Sequence, residues 1–531
     1  MKIKFKYLVC CTVLLTAAFM GGCAKTEAPA QETQAAPVKD KLVYANFRDI
    51  RDLNPHLYAG EMYAQEMLYE TLISLGPEGF EPCLAESWEI SGDGLTYTFR
   101  IREGVTFTDG EVCDANAIQA NFKAIMDNGD RHSWLEFMQI VDRTEATDDR
   151  TFVIKVKKAY EPLLMELAVT RPFAMISPKA MKEGGTKDGV NGYIGTGPYV
   201  LKSFEKDQYA IFERNEAYWG QKPAIKTIEV KVIPDNQARI LALKNGEIDL
   251  IYGKNMLDAE ALKSFEGSDA FGVALSEPTS TRQILMNTKN PILNDKRVRQ
   301  ALQHATDRET ISEGIFYGYE KPAGTLYAET LPYCSVGLVP YSFDTVRAAA
   351  LLEEAGWAPG ADGIREKNGQ KLKLSLLYNV SSVTEKTIAE YLQSAYREIG
   401  AAVSVDGQEE QSYRDRMKAG DFDLVFNISW GTPYDPYASL AAMRQTVYGD
   451  YAAQEGLAVK EALHTGITDL LLEADPEKRQ DLYKQVLSTL HEEALYLTLT
   501  YESNKAIYSK ALQGVGFAQS QYEIPFARMH Y

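Results

Sequence analysis

Histidine and cysteine are both scarce in this 531-residue chain, with six of each. The histidines, at positions 56, 132, 304, 464, 491 and 530, make no HxH, HExxH or His-rich loop. A bare transition metal therefore finds no obvious cage of imidazoles. No CxxC pair occurs, which argues against a zinc site or a disulfide framework. Neither a GxSxG elbow nor a P-loop is found, so the sequence offers no activated nucleophile and no phosphate cradle, and an enzyme is disfavoured. Long apolar runs are lacking as well: the one run, Leu8 to Met20, is shorter than the roughly 20 residues that span a bilayer as a helix. With 45% hydrophobic and 24% charged residues, the composition is that of a soluble globular chain, not of a disordered or polytopic one. No repeat of fixed period is present.

What is present begins at the N-terminus. Lys2, Lys4 and Lys6 precede the short apolar run, the order of a secretion signal. The run ends in MGGC, which resembles the lipobox of bacterial lipoproteins, with Met20 where leucine is usual. The resemblance implies removal of residues 1–22 and lipidation of Cys23. Cys10 and Cys11 then leave with the signal, and Cys83, Cys113 and Cys334 remain, with one disulfide an open option after export. The mature chain carries 53 basic against 74 acidic residues, a net charge of −21. Such a body repels nucleic acid and anionic membrane surfaces. Residues 23–40 are rich in Ala, Pro, Gln, Thr and Glu and read as a flexible tether reaching about 20 to 25 Å from the anchor.

From Lys41 the pattern is continuously globular. Leu95, Tyr97, Phe99 and Ile101 alternate, then Val105 and Phe107 follow a turn, which predicts antiparallel strands. Asp114 caps a helix carrying Ile118, Phe122 and Ile125. Further strands are predicted over Phe152 to Val156, Tyr199 to Phe204, Tyr209 to Arg214 and Ile228 to Ile233. Helices are predicted around Val298 to Ala305 and between Asp344 and Gly356. Between Lys371 and Trp430 the order reads β-α-β-α-β, which implies a parallel sheet. Ligands collect beyond the carboxyl ends of such strands, where SWGTPYDP follows.

LAESWEISGDGLTYTFRIREGVTFTDGEVCDANAIQANF, IGTGPYVLKSF, NEAYWGQKPAIKTIEVKVIPD, NGEIDL, DKRVRQAL and LLEEAGW, in that order, resemble the extracytoplasmic solute-binding proteins of peptide and nickel ABC transporters (family 5). The resemblance covers nearly all of residues 41–531. It implies an α/β fold of the bilobal periplasmic-binding-protein type (class II, cluster C), with an extra subdomain, mixed sheets and a hinge between lobes. Residues 41–80, 196–277 and 502–531 would form one subdomain of lobe 1, residues 81–195 a second, and residues 278–501 lobe 2.

LNPHLYAGEMYAQEMLYETL, DRHSWLE, TRPFAMISP and WGTPYDPYA are most similar to the nickel-binding branch, which takes up nickel as a chelate with small organic ligands such as histidine. The branch's site falls on Arg171, Arg131, Trp134, Trp430, Tyr434, Met62, with Tyr58 just before it, and Tyr413. Chemically, Arg171 offers a planar fork for a carboxylate and Arg131 a second cation. Trp134, Trp430 and Tyr434 offer apolar faces, and Met62 a soft, adaptable one. Without the resemblance, Trp134 on a helix reads as core and Arg171 as half of a surface ion pair, and His132 and His304 read as core or surface residues. Two departures stand out. Tyr448 replaces a histidine able to bind metal directly, so no direct protein ligand to the metal is expected. Tyr522 replaces a small hydroxyl residue before EIPF and alters the size of the pocket.

These implications make the chain a lipid-anchored, monomeric importer component outside the cytoplasm. It has no permanent cofactor, carries chelated nickel as cargo and takes an ABC permease as partner. The alternative is an oligopeptide- or dipeptide-binding protein of the same family. Such proteins typically place an Asp before the loop tyrosine, for the peptide's ammonium, where Pro433 stands here, with Asp435 two residues on. A receptor that docks on a sensor is a third option.

Overall fold

The structure is a computed structural model and describes residues 39–76, 79–254, 256–429, 436–446 and 449–531. The signal, Cys23, most of the tether, Trp430, Pro433, Tyr434, Asp435 and Tyr448 lie outside the described residues. The last two tether residues are tied to the body: Lys39 Nζ pairs with Asp249, and Asp40 O accepts the N–H of Lys226 at 2.7 Å.

Strand β1 (Lys41–Asn46) precedes helix α1 (Met62–Leu68), which carries the first site residues. A four-stranded antiparallel sheet follows, made of β2 (Ala85–Ile90), β3 (Thr96–Ile101), β4 (Val141–Asp148) and β5 (Thr151–Val156) in the order β2-β3-β5-β4. Tyr97, Phe99 and Ile101 of β3 all point into the core, as their alternation requires. The run through Val105 and Phe107 departs from the expectation of a strand. It forms only a single bridge, Thr106 to Val112, because β2 and β5 already occupy both edges of β3. Helix α2 (Ala115–Met126) lies between β3 and β4 in sequence. Asp114 caps it by accepting the N–H of Ala117 at 2.9 Å, and Ile118, Phe122 and Ile125 are fully buried.

The main sheet takes strands from across the chain: β6 (Tyr199–Glu205), β7 (Tyr209–Arg214), β8 (Thr227–Val232), β9 (Leu250–Tyr252) and the long β10 (Phe271–Met286). After helices α3 (Lys296–His304) and α4 (Thr345–Glu354) comes the predicted β-α-β-α-β unit. It consists of β11 (Lys373–Asn379), α5 (Val383–Glu398), β12 (Ala402–Gln408), α6 (Glu410–Ala419) and β13 (Leu424–Ile428). Helix α7 (Pro436–Ala442) and the second long strand, β14 (Tyr496–Ser509), complete the elements used below. Across the sheet the order is β6-β7-β8-β1-β9-β14-β10-β13-β11-β12, with Lys321–Pro322 also pairing with β14. Strand β1 is parallel to β8 and β9, and β11 is parallel to β12 and β13.

The antiparallel pair β10 and β14 joins the two groups of strands. Charge is buried there. Arg282 of β10 pairs with Glu502 of β14 and with Glu320, and Lys505 of β14 reaches Glu320 at 3.1 Å. Cys83, Cys113 and Cys334 are all free thiols. Among the described residues, no helix is long and apolar enough to cross a membrane.

Candidate functional site

A cleft of about 640 Å³ opens between the loop ahead of α1, the turns after α2, the segment around Arg171, Tyr522 near the C-terminus, and helix α7. Of the residues picked out in the sequence, Tyr58, Met62, Arg131, Trp134 and Arg171 all line it. Tyr413 does not. Its hydroxyl donates to the carbonyl of Phe426, and its ring packs against the core, so this phenol is spent on holding α6 to β13.

Local sequence explains how these side chains are held. A short 3-10 turn, Gly129–His132, follows α2 and turns His132 inward, leaving Arg131 exposed. Trp134 then sits between this turn and the helix Glu136–Ile140, not on a helix as its sequence context implied. Its indole N–H donates to Tyr58 Oη at 2.8 Å, and Tyr58 Oη lies 2.7 Å from His132 Nδ1. Tyr58 Oη thus accepts from the indole and shares a hydrogen bond with the His132 ring, which ties the three side chains together. Burial and the neighbouring Arg131 push the His132 pKa down to about 4, so the ring is neutral. Arg131 lies over the Tyr58 ring, 5.6 Å from its centroid, and Trp134 meets the same ring edge-on at 6.1 Å. Four residues thus form one rigid wall.

Arg171 behaves differently from the free fork expected of it. Its Nε donates to Gln65 Oε1, its Nη1 to Tyr58 O at 3.1 Å and its Nη2 to Gly60 O. Among the described residues three of its five N–H donors are engaged, and two remain for the cleft. Arg171 therefore ties the Tyr58–Gly60 segment to α1 before it touches any ligand. Gly60 is required there, because a Cβ would meet Asp52 O at 2.2 Å.

Several lining residues escaped the sequence reading. Arg48 and Arg51 raise the number of arginines around the cleft to four, against Glu61, Asp130 and Glu166. Arg48 is paired to Glu61 at 2.6 Å, whereas Arg51 is exposed and holds a left-handed φ of 56°, a conformation that costs energy in a non-glycine residue. The spacing RDIR just before Tyr58 was the available signal. Glu166 lines the floor but is satisfied: it accepts N–H groups from Glu136 and Phe137 and the hydroxyl of Tyr160, and burial raises its pKa to about 7. Tyr522 also lines the cleft, so its bulk does shape the pocket. Among the described residues, no group of three or more His, Cys, Asp or Glu is placed to hold a metal ion.

The profile of bacterial extracellular solute-binding proteins, family 5 Middle, matches residues 79–450. The chain belongs to this family. Among the relatives of this solute-binding protein is the nickel-binding periplasmic protein of Escherichia coli (strain K12), 40% identical over 530 residues, which are 99% of this chain and 97% of that one. NikA from Brucella suis, solved in complex with Fe(III)-EDTA, superposes with a TM-score of 0.90 at 42% identity, over 92% of this chain and 99% of that one. An ABC transporter substrate-binding protein from Sinorhizobium meliloti gives 0.73 at 30% identity, over 92% and 99%. The fold is accordingly the expected α/β, bilobal periplasmic-binding-protein type.

Proposed function

We propose that this solute-binding protein captures nickel as a chelate with small organic acids and hands it to the permease of an ABC importer, while lipid on Cys23 holds it as a monomer at the membrane. The observation that carries this reading is the cleft wall in which Arg131, Tyr58 and Trp134 interlock beside Arg171. Flat apolar faces beside cations suit an anionic, ring-bearing chelate better than a naked ion, which needs N and O ligands from the protein itself. Relatives at 40% and 42% identity, whose names speak of nickel and of a metal chelate, support the same choice. Lobe 1 is assembled from residues 41–277 and 502–531 and lobe 2 from residues 278–501, and Trp430 and Tyr434 supply aromatic faces for the chelator. The two remaining donors of Arg171 and the exposed guanidinium of Arg131 take the chelator's carboxylates.

Titration calorimetry of the mature protein with nickel chloride, nickel plus histidine, and a dipeptide mixture tests this. Tight binding of the nickel–histidine mixture alone is expected. Arg171→Ala should weaken it by about 2 to 5 kcal/mol, the cost of removing one partner of a buried charged pair. Binding of dipeptides instead, or equal affinity for nickel without chelator, would refute the proposal.

A further inference from the structure

Among the described residues, two ion pairs join residues 81–195 to residues 278–501, the stretches assigned above to opposite lobes: Arg444 with Glu136 and Arg479 with Glu161. The first lies beside the cleft. Arg444 stands in the turn that ends α7, its N–H bonded to Ala441 O at 3.3 Å, and its Nη2 donates to Glu136 Oε2 at 3.2 Å. Its Nη1 donates at 2.8 Å to Thr468 Oγ1 on the helix Lys460–Leu472, so the guanidinium is aimed from its own side before it reaches across. Glu136 opens the helix Glu136–Ile140, directly after the cleft residues Trp134 and Leu135. Its backbone N–H and that of Phe137 are held by the Glu166 carboxylate on the cleft floor. The bridge therefore connects α7, which lines one side through Tyr437, Ala438 and Ala441, to the wall that carries Trp134. Neither of its partners lines the cleft itself.

We propose that Arg444 and Glu136 are the latch of the cleft, a charge pair made when the lobes close over the cargo and broken when they open, which sets how long the cargo stays. The inference rests on the lobe division and the cargo proposed above. Depth is what suits this pair to the task. Its side chains keep 15% and 20% of their surface, against 9% or less for Arg282, Glu320 and Glu502 in the ionic core. A pair so placed is dry enough to outweigh a surface bridge, yet near enough to water for each partner to be rehydrated when the lobes part. Arg444 then keeps Thr468, which lies on the same side, and Glu136 keeps its place on the helix it opens. Arg444 Nε is buried without a hydrogen-bond partner among the described residues, a donor that opening exposes to water, so the closed form is held without being locked. Because the bridge forms only once the cargo is enclosed, it acts on release and leaves capture alone.

The test is stopped-flow fluorescence of the mature protein with nickel plus histidine. Glu136→Gln and Arg444→Met should each raise the dissociation rate about fivefold or more, with the association rate kept within about twofold. The double variant should release cargo no faster than the worse single one, since both remove the same bridge. Glu136→Gln keeps the shape of the side chain and serves if Arg444→Met fails to fold. Small-angle scattering without ligand separates the latch from the identity of the cargo. Arg444→Glu sets two carboxylates face to face and should enlarge the radius of gyration in low salt, and adding Glu136→Arg should reverse the change. If nickel plus histidine does not bind the unaltered protein while these radii shift as stated, the reading of the cargo fails and the latch stands. Dissociation rates equal to that of the unaltered protein, additive losses in the double variant, or radii that all agree would each overturn the latch. Variants that only melt at a lower temperature would do so too, since that is the mark of a contact that never opens.

Discussion

His132 shows how much one side chain can settle. It is wholly buried, its Nδ1 shares a hydrogen bond with the Tyr58 hydroxyl, and its Nε2 has no hydrogen-bond partner among the described residues. A charged imidazolium has no place in such surroundings. His56 is in the same condition, its pKa lowered to about 3 by burial and then by His132. The sign follows directly. Below its ordinary value of 6.5 each ring takes up a proton when the chain unfolds but stays neutral in the folded state, so the unfolded state binds more protons. The contribution of these two rings to stability is complete above pH 6.5 and falls as the pH drops from there towards 4. For His132 the loss is on the order of 3 kcal/mol. Denaturant titrations at pH 7, 5.5 and 4.5 should show this decline, and His132→Gln, whose amide oxygen can still accept from Tyr58, should flatten it. An unchanged slope in that variant would mean that His132 is not the titrating group. Arg171 shows a different limit of sequence reading. Its residue type pointed to the site, but its main contacts, the carbonyls of Tyr58 and Gly60, are backbone atoms that no pattern of side chains announces.

The helix starts read from the sequence at Asp114 and Asp344 are both real: each accepts a backbone N–H there, because a short carboxylate satisfies an otherwise orphaned donor and faces the positive end of the helix. Asp235, Asp258, Asp295, Asp307 and Asp475 do the same at helix starts the sequence reading did not mark. Asp114 matters most to the site, since α2 leads straight into the turn that carries Arg131, His132 and Trp134. Asp114→Ala should cost about 1 kcal/mol of stability, visible as a lower melting temperature. It should weaken chelate binding less than Arg171→Ala does. The β-α-β-α-β unit was readable because β11 and β13 are short apolar runs and α5 has a clear apolar period, burying Ile388, Leu392 and Tyr396, although α6 buries no residue. Val105 and Phe107 misled because alternation reports which face is buried and says nothing of whether a free sheet edge exists. They are buried, but as a loop packed on the core. For the same reason Tyr413 was placed in the cleft by resemblance while its hydroxyl closes a hydrogen bond within its own β-α-β unit.

Across the whole molecule, the two groups of strands meet at the crossing of β10 and β14, where bending between lobes is expected. The lobe boundaries expected from the sequence, at residues 277/278 and 501/502, fall inside these two strands, and their pairing is irregular just there, with register shifts around Leu275, Pro278, Ser280 and Arg282. Bulges and a proline weaken a ladder locally and let it bend. The ion cluster of Arg282, Glu502, Glu320 and Lys505 sits in the same place. It is too deeply buried to separate, since parting such charges leaves one of them unpaired in low dielectric. The expected closure therefore is a bend of the ladder around an intact ionic core, not a slide of one strand along the other. A ligand drives this only if it touches both sides of the cleft, and α7, through Tyr437, Ala438 and Ala441, faces the wall of Arg131, Tyr58 and Trp134 across it. Small-angle scattering of the mature protein should accordingly show a smaller radius of gyration with nickel plus histidine than without. Trp134→Ala, which removes the indole from the wall opposite α7, should leave the radius unchanged at the same ligand concentration. A radius that does not move in the unaltered protein at saturating ligand would remove the hinge from this account while leaving the chemistry of the cleft intact.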